Sequence, residues 1–305
     1  MERKIVIAGG SGALGSLLIN AWKDEEVDLV VLTRQRKAQE GRVRYVWWDA
    51  RSPGQWEQEV EGSALVINLV GKSVNCRYTG KNKAEIIRSR VDATRILGEV
   101  IGRLKRPPEL WINAGSAAIY GNAGLVVKTE DDMAFGKGFS PEVCKQWEQA
   151  FFSAETPQTR KVFLRIGMVL QHGRGVLKPF VNLARFGLGG TIGSGEQYMT
   201  WLHEVDFVRL IAWIVEHQQV QGVIHASSPY PVNNRDFMKA IRTALGVPFG
   251  FPHYEWSTKF GAWLIGTESE LVLSGRRVVS NVLQEEGFVF RYPEIQEALR
   301  QLSIK

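Results

Sequence analysis

Short apolar runs alternate with stretches of helical period through the first half of the chain. KIVIAG (4–9) reads as a buried strand, and a helix follows it from Ala13 to Lys23. DLVVLT (28–33), VRYVWWD (43–49), ALVINLVG (64–71) and LWINAGS (110–116) read as further strands, and VFLRIGMVL (162–170) as a sixth. Ile87, Val91, Thr94, Leu97, Ile101 and Leu104 recur at three and four residues, which predicts a long helix over 81–105 with one apolar face. Pro107 and Pro108 end it. Ser140 before Pro141 reads as the N-cap and first position of another helix, whose buried stripe is Val143, Trp147, Phe151 and Ala154. Such alternation predicts an α/β protein with a Rossmann-type doubly wound parallel sheet. Ligands of such sheets sit beyond the carboxyl ends of the strands, near the switch in strand order.

The pattern changes after residue 170. GLGGTIGSGEQYMTWLHEVD (187–206) is Gly-rich, a helix over Val208–His217 follows, and the C-terminal stretch reads as short helices. The predicted division is a nucleotide-binding domain over 1–170, to which 206–228 returns, and a smaller, mostly helical substrate cap over 171–305. Residues 250–300 of that cap form a small helical module.

Composition narrows the class. A chain of 305 residues suits one large α/β domain with a smaller partner, and 44% hydrophobic with 23% charged residues excludes wholesale disorder. The net charge of +6 admits anionic partners, but no Lys/Arg block reaches five, so nucleic acid is not expected. Cys76 and Cys144 lack the spacing of a zinc site and are too few for a disulfide framework. No apolar stretch approaches the roughly 18 residues of a membrane span. A strand begins almost at Met1, leaving no room for a signal peptide, so a cytoplasmic protein is expected.

Gly9, Gly12 and Gly15 lie between the first strand and the first helix. There the first glycine permits a tight turn, the second lets backbone N–H groups approach a pyrophosphate, and the third lets helix and strand pack closely. With Ser11, Ala13 and Leu14 they form the expected dinucleotide cradle, reinforced by the helix N-terminus. An NAD site wants a carboxylate at the end of the second strand, but Thr33-Arg34-Gln35-Arg36-Lys37 stands there, with no acid before Glu40. Arg34 offers a fork of donors to a 2′-phosphate, so the expected cofactor is NADP(H). Asp49 either accepts from the adenine amino group or caps the next turn. Leu69, Val70 and Gly71 supply bare backbone beside the pyrophosphate, Glu85 and Arg90 could reach the cofactor from the long helix, and Val169 from the sixth strand.

With these residues in place the chain resembles the extended, atypical short-chain dehydrogenase/reductase superfamily. More narrowly it is similar to the NAD(P)-dependent epimerase family proteins, sometimes labelled cell-division-inhibitor-like. The likeness runs through GGSGALG (9–15), TR (33–34), NLVGKSV (68–74), RSRVDATRIL (88–97) and SAAIYG (116–121). It continues through WEQA (147–150), LRIGMVL (164–170), residues 187–206, PYPVNNRDF (229–237) and GFVFRYPEIQEAL (287–299). The resemblance implies a Rossmann fold with NADP(H) and an oxidoreductase or epimerase activity on an unknown small molecule. It also implies a substrate cleft against a C-terminal module of unassigned role.

The resemblance also implies a tyrosine acid/base, a lysine four residues later that lowers its pKa, and a serine that holds the substrate oxygen. Ser116 supplies the serine, or else closes a turn. FSPEVCKQWEQAFF (139–152) should carry the pair, yet one register places Pro141 and Lys145 there and the other Ser140 and Cys144. Neither register holds a phenol. Cys144 reads as a small cleft or core residue rather than a nucleophile. Tyr120 is expected beside the cleft, as a pocket wall or as the replacement acid, and His203 as a structural histidine before a capping Asp206. Gln197 is followed by Tyr198 and Met199, where sugar-nucleotide enzymes carry a diphosphate-gripping arginine. Arg276 and Arg277 could compensate, unless they belong to a helix surface. The rival to an enzyme is a non-catalytic NADPH-binding sensor or scaffold; monomer and homodimer remain open.

Overall fold

Runs that are apolar throughout make strands buried on both faces, and here they join in one sheet. The computed structural model describes residues 3–35 and 37–304, so Arg36 of the basic run lies outside the described residues. The strands are β1 (Arg3–Ala8), β2 (Val27–Thr33), β3 (Val43–Trp47), β4 (Leu65–Asn68), β5 (Leu110–Ser116), β6 (Arg160–Ile166) and β7 (Gly222–Ala226). They pair in parallel in the order β3-β2-β1-β4-β5-β6-β7. Val6 sits between Val30 and Val66, and all three are sealed from solvent. Strand order reverses between β1 and β4, so the crevice beyond Ala8 and Asn68 is the expected ligand position.

The long helix spans Gly80–Arg103, with the Thr79 hydroxyl accepting from Asn82 N–H at 3.2 Å as its N-cap. Its buried face is wider than the predicted stripe. Ile86, Ala93, Ile96 and Val100 are buried while Ile87 is only half-buried, because the helix packs on both the sheet and the 139–152 helix. Gly98 and Gly102 make the latter approach close: a Cβ would meet Ala154 Cβ at 2.5 Å and Glu155 O at 2.6 Å.

The helix packed against it spans Phe139–Phe152 and begins one residue before the predicted cap. Gly138 at φ +105 is its N-cap, so Ser140 does not cap it, and Pro141 packs within the first turn against Gly121. Val143, Trp147 and Phe151 are buried as expected.

The sixth apolar run breaks where it was read as continuous. A Cβ on Gly167 would meet Thr200 at 2.9 Å, and this close approach turns the chain off the main sheet. Residues 168–171 then join a smaller sheet, parallel to 201–203 and antiparallel to 174–175. Val169 consequently packs its side chain into the main core, against the expectation that it would touch the cofactor.

The helix after the Gly-rich stretch begins earlier than expected, at Glu204, and runs to Glu216. It returns the chain to the sheet through β7. A second core, built on Leu170, Phe180, Trp201, Phe237, Ile241 and Leu299, holds the C-terminal region. That region carries helices at Asn234–Leu245, Glu255–Ile265, Glu270–Leu273, Asn281–Glu285 and Ile295–Gln301. Among the described residues no helix is long and apolar enough to cross a membrane.

Candidate cofactor and substrate site

The three glycines do different work. A Cβ on Gly15 would strike Gly10 Cα at 2.5 Å and Gly9 O at 2.6 Å, and one on Gly9 the Leu69 carbonyl at 2.9 Å. Both are demanded by the protein's own packing, and Gly9 also sits at φ +88. A Cβ on Gly12 would meet only Gly9 O, at 3.4 Å. It would otherwise project into open space at the start of the Ala13–Trp22 helix, whose first N–H groups have no side-chain cap. The open position at Gly12 and the uncapped N–H groups of the helix start fit an anion such as a pyrophosphate.

Beyond β2 the Thr33 hydroxyl accepts from Gln35 N–H at 3.1 Å and tightens the turn. Arg34 is exposed and has no ion-pair partner among the described residues. A groove of ≈ 530 Å³ runs alongside, lined by Ser11, Gln35, Lys37, Tyr45 and Arg174 among others. Asp49 takes the capping alternative, its Oδ1 accepting from Arg51 and Ser52 N–H at 2.8 Å each. Burial pushes its carboxyl up, but those backbone donors outweigh it and hold the group below the usual range.

The β4 loop is braced rather than open. Val70 N–H donates to Asn68 Oδ1 at 3.1 Å, and Leu69 N–H to Ala8 O at 2.9 Å. Two expected cofactor ligands serve as braces instead. Glu85 pairs with Lys72, and Arg90 donates to Lys72 O and Ile86 O, each at 3.0 Å. The Arg90 guanidinium also lies 5.1 Å over the Trp147 ring and fills the space a side chain at Gly71 would need. Burial lowers its pKa.

At the end of β5 the Ser116 Oγ accepts from Ala118 N–H at 3.1 Å, closing a 3-10 turn. The hydroxyl proton remains free to donate, so closing the turn and holding a substrate oxygen are compatible. On the 139–152 helix Lys145 points outward to Glu142 at 2.8 Å, while Cys144 is buried, its thiol pushed up to about 12 by burial. Such a thiol is no nucleophile.

Tyr120 is neither wall nor accessible acid. Its phenol is 2% exposed and receives the Arg165 guanidinium at 2.6 Å, with Thr129 O and His225 Nε2 both at 2.9 Å. His225 Nδ1 faces Val279 O at 2.8 Å and therefore donates there, so the single Tyr120 proton lies between two acceptors, Nε2 and Thr129 O. Arg165 is in turn held by Glu148 through two bonds, of 3.0 and 2.7 Å. Burial pushes the Tyr120 phenol up to about 12, against the opposing pull of Arg165.

His203 itself caps the 204–216 helix, Nδ1 accepting from Val205 N–H at 3.1 Å. Asp206 instead ties down the C-terminal segment through Arg291 and Tyr292 N–H, at 2.8 and 2.9 Å. Met199 is buried, and Gln197 spends its amide on Ile192 O and Val272 O. Arg276 and Arg277 lie on no helix: Arg277 and Val278 pair as a short strand with Val127 and Lys128.

The sequence reading passed over Tyr78. Its ring meets Phe139 edge-on at 4.7 Å, beside Ser140, and its backbone N–H donates to Glu268 at 2.6 Å. The buried phenol makes no hydrogen bond of good geometry, and burial pushes it up, opposed by the Ser140 hydroxyl. No local motif marks it; it is placed by a partner 190 residues away.

Residues 5–141 match the NAD dependent epimerase/dehydratase family, and 261–302 match a family described only as a domain of unknown function. An epimerase family protein of Staphylococcus saprophyticus is 33% identical over 97% of this chain and 98% of its own. The epimerase family protein YfhF of Bacillus subtilis is 31% identical over 98% of this chain and 97% of its own. The crystal structure of a human epimerase family protein with NADPH superposes with a TM-score of 0.86, at 24% identity and covering 98% of each chain. That likeness shows the fold.

Proposed function

Because the chain belongs to the NAD-dependent epimerase/dehydratase family, as an epimerase family protein of extended short-chain dehydrogenase/reductase type, we propose that it is an NADP(H)-dependent oxidoreductase or epimerase. The choice of the phosphorylated dinucleotide rests on one observation. The end of β2 carries Arg34, exposed and without an ion-pair partner among the described residues, where a carboxylate would be needed for a free ribose hydroxyl. Lys37 and Arg174 line the groove beside it, together with Glu40. The human structural neighbour was crystallised with NADPH and others with NAD, so the preference for the phosphorylated dinucleotide rests on Arg34.

In this proposal the 9–15 turn holds the pyrophosphate on the N–H groups of the Ala13–Trp22 helix, and residues 69–71 wall the other side. A nicotinamide held there would supply the hydride chemistry, reducing a carbonyl carbon or oxidising an alcohol carbon. Ser116 positions the substrate oxygen through its free hydroxyl proton. No phenol–lysine pair stands on the 139–152 helix, so proton transfer falls to Ser116 or water. Turnover on simple ketones, aldehydes and sugar nucleotides is then weak. The substrate is a small molecule, and the protein works in the cytoplasm.

The missing pair favours a second reading, a non-catalytic NADPH-binding sensor. Mass spectrometry of the ligand retained by purified protein tests the cofactor, and NADPH oxidation across a carbonyl library separates enzyme from sensor. Retained NAD, or an empty protein that ignores NADPH, overturns the assignment.

A further inference from the structure

One wall of the groove beside Arg34 comes from far along the chain. Arg174 lines that groove together with Ser11 of the glycine turn and with Gln35 and Lys37 beyond β2. A short hairpin brings it there. Residues 168–171 turn back through His172 and Gly173, the latter at φ +61, so that Leu170 pairs with Gly175 and Gln171 with Arg174. Two side chains fasten the hairpin. Gln171 is buried and donates its amide to Ala13 O, in the first turn of the cradle helix, at 3.2 Å. A Cβ on Gly175 would meet the Gln171 Oε1 at 2.8 Å, so the glycine leaves that side chain its room. His172 bonds through Nδ1 to Leu302 O near the C-terminus. Directly opposed residues of an antiparallel pair send their side chains to the same face. Arg174 therefore leaves the hairpin on the side where Gln171 reaches the cradle, and it shares a groove with Ser11.

The other charges of the groove are already engaged. The Glu40 carboxylate accepts from the Tyr45 hydroxyl at 3.1 Å, and the Lys37 ammonium lies 5.1 Å over the Tyr45 ring. Both gather on Tyr45, where their opposite charges offset each other. The Arg174 guanidinium is exposed and makes no hydrogen bond or ion pair among the described residues. A flat fork of donors left free in a groove that opens beside the glycine cradle suits a phosphate.

We propose that Arg174 is a second ligand of the NADPH 2′-phosphate, working with Arg34 and supplied by the 168–175 hairpin. The proposal rests on the NADP(H) reading and deepens it. Dinucleotide choice is then made by two elements distant in sequence, the turn after β2 and this hairpin. Gln171 and His172 tie the same hairpin to the cradle helix and to the C-terminal segment.

The test is calorimetric titration of the full chain with NADPH, NADH and adenosine 2′,5′-bisphosphate. Arg174→Gln should weaken NADPH and the bisphosphate by about tenfold and leave NADH within about twofold. Arg174→Lys should recover part of that loss. Lys178→Gln removes an exposed charge outside the groove and should leave all three ligands within about twofold. An arginine that only held the hairpin in shape would weaken NADPH and NADH alike, and that result overturns the role. Unchanged NADPH affinity in Arg174→Gln overturns it too. If Arg34→Gln abolishes the preference for NADPH while Arg174→Gln leaves it intact, the cofactor reading stands and Arg174 has no part in it. No preference for NADPH in the unmutated protein overturns both.

Discussion

Asn68 donates its side-chain amide to Asn113 Oδ1 at 2.7 Å, joining the carboxyl end of β4 to the middle of β5 deep inside the protein. The same amide reaches Thr94 Oγ1 at 3.1 Å, and the Trp147 indole donates to that oxygen at 3.0 Å. One buried cluster therefore fixes the cofactor loop, through Val70 on Asn68, together with both helices behind it. Thr94→Val keeps the shape but leaves two buried donors with one acceptor fewer. It should cost about 1–3 kcal/mol in denaturant unfolding. An unchanged midpoint would show that the cluster is not needed for stability.

How much of this was readable in the sequence depends on the range of the forces. Continuous apolar runs announced six strands because both faces of a parallel sheet are buried. The edge strand β7, GVIHA, was not marked: it is short and carries the buried His225. The break at Gly167 was invisible because the run stays apolar on both sides, and only Thr200, distant in sequence, shows why the chain turns. The glycine cradle was legible because it is local. Arg90, Glu85 and Tyr120 were misplaced because side-chain direction is set by tertiary partners. Lys72 claims the first two, and Arg165 and His225 claim the third.

The glycines separate binding from folding. Gly12→Val places its branches in open space, so the fold should persist while NADPH binding disappears. Gly15→Val must push against the backbone of residues 9 and 10 and should lower the melting temperature outright. Normal NADPH binding by Gly12→Val would mean that the loop is only a turn.

Cofactor choice should follow Arg34. A charge-assisted bond to the 2′-phosphate contributes about 1.5–3 kcal/mol, hence roughly ten- to a hundredfold preference for NADPH over NADH. Arg34→Glu should abolish or invert that preference. Equal affinities for both dinucleotides in the unmutated protein would remove the role given to Arg34.

Stability should fall in acid through His203. Its Nδ1 can cap the 204–216 helix only while unprotonated, and burial lowers its pKa from 6.5 to about 4. An unfolded chain protonates this histidine near pH 6.5, so between there and about pH 4 it binds more protons than the folded one. Stability is therefore intact above that window and declines as pH falls through it. The loss is on the order of 3 kcal/mol if His203 acts alone. His203→Asn retains a capping oxygen without the titration and should flatten this slope in pH-dependent unfolding. Parallel slopes for the two proteins would sink the explanation.

Ser116 and Tyr120 should separate cleanly when each loses its hydroxyl. Ser116 presents a free proton at the end of β5, whereas the Tyr120 phenol is committed to Arg165, Thr129 and His225. Acid/base or positioning help at the reacting oxygen is worth typically 10²–10⁴-fold. Any carbonyl reduction should thus fall at least about tenfold in Ser116→Ala, with NADPH affinity unchanged. Tyr120→Phe removes an acceptor from a buried guanidinium and should instead cost about 1–3 kcal/mol of stability. Its kcat should stay within about threefold of the unmutated value, because the phenol has no access to substrate. Both quantities come from one preparation, by following NADPH oxidation and then unfolding the same sample. A large fall in kcat with normal stability in Tyr120→Phe would restore it as the proton donor and require the Arg165 network to open during turnover.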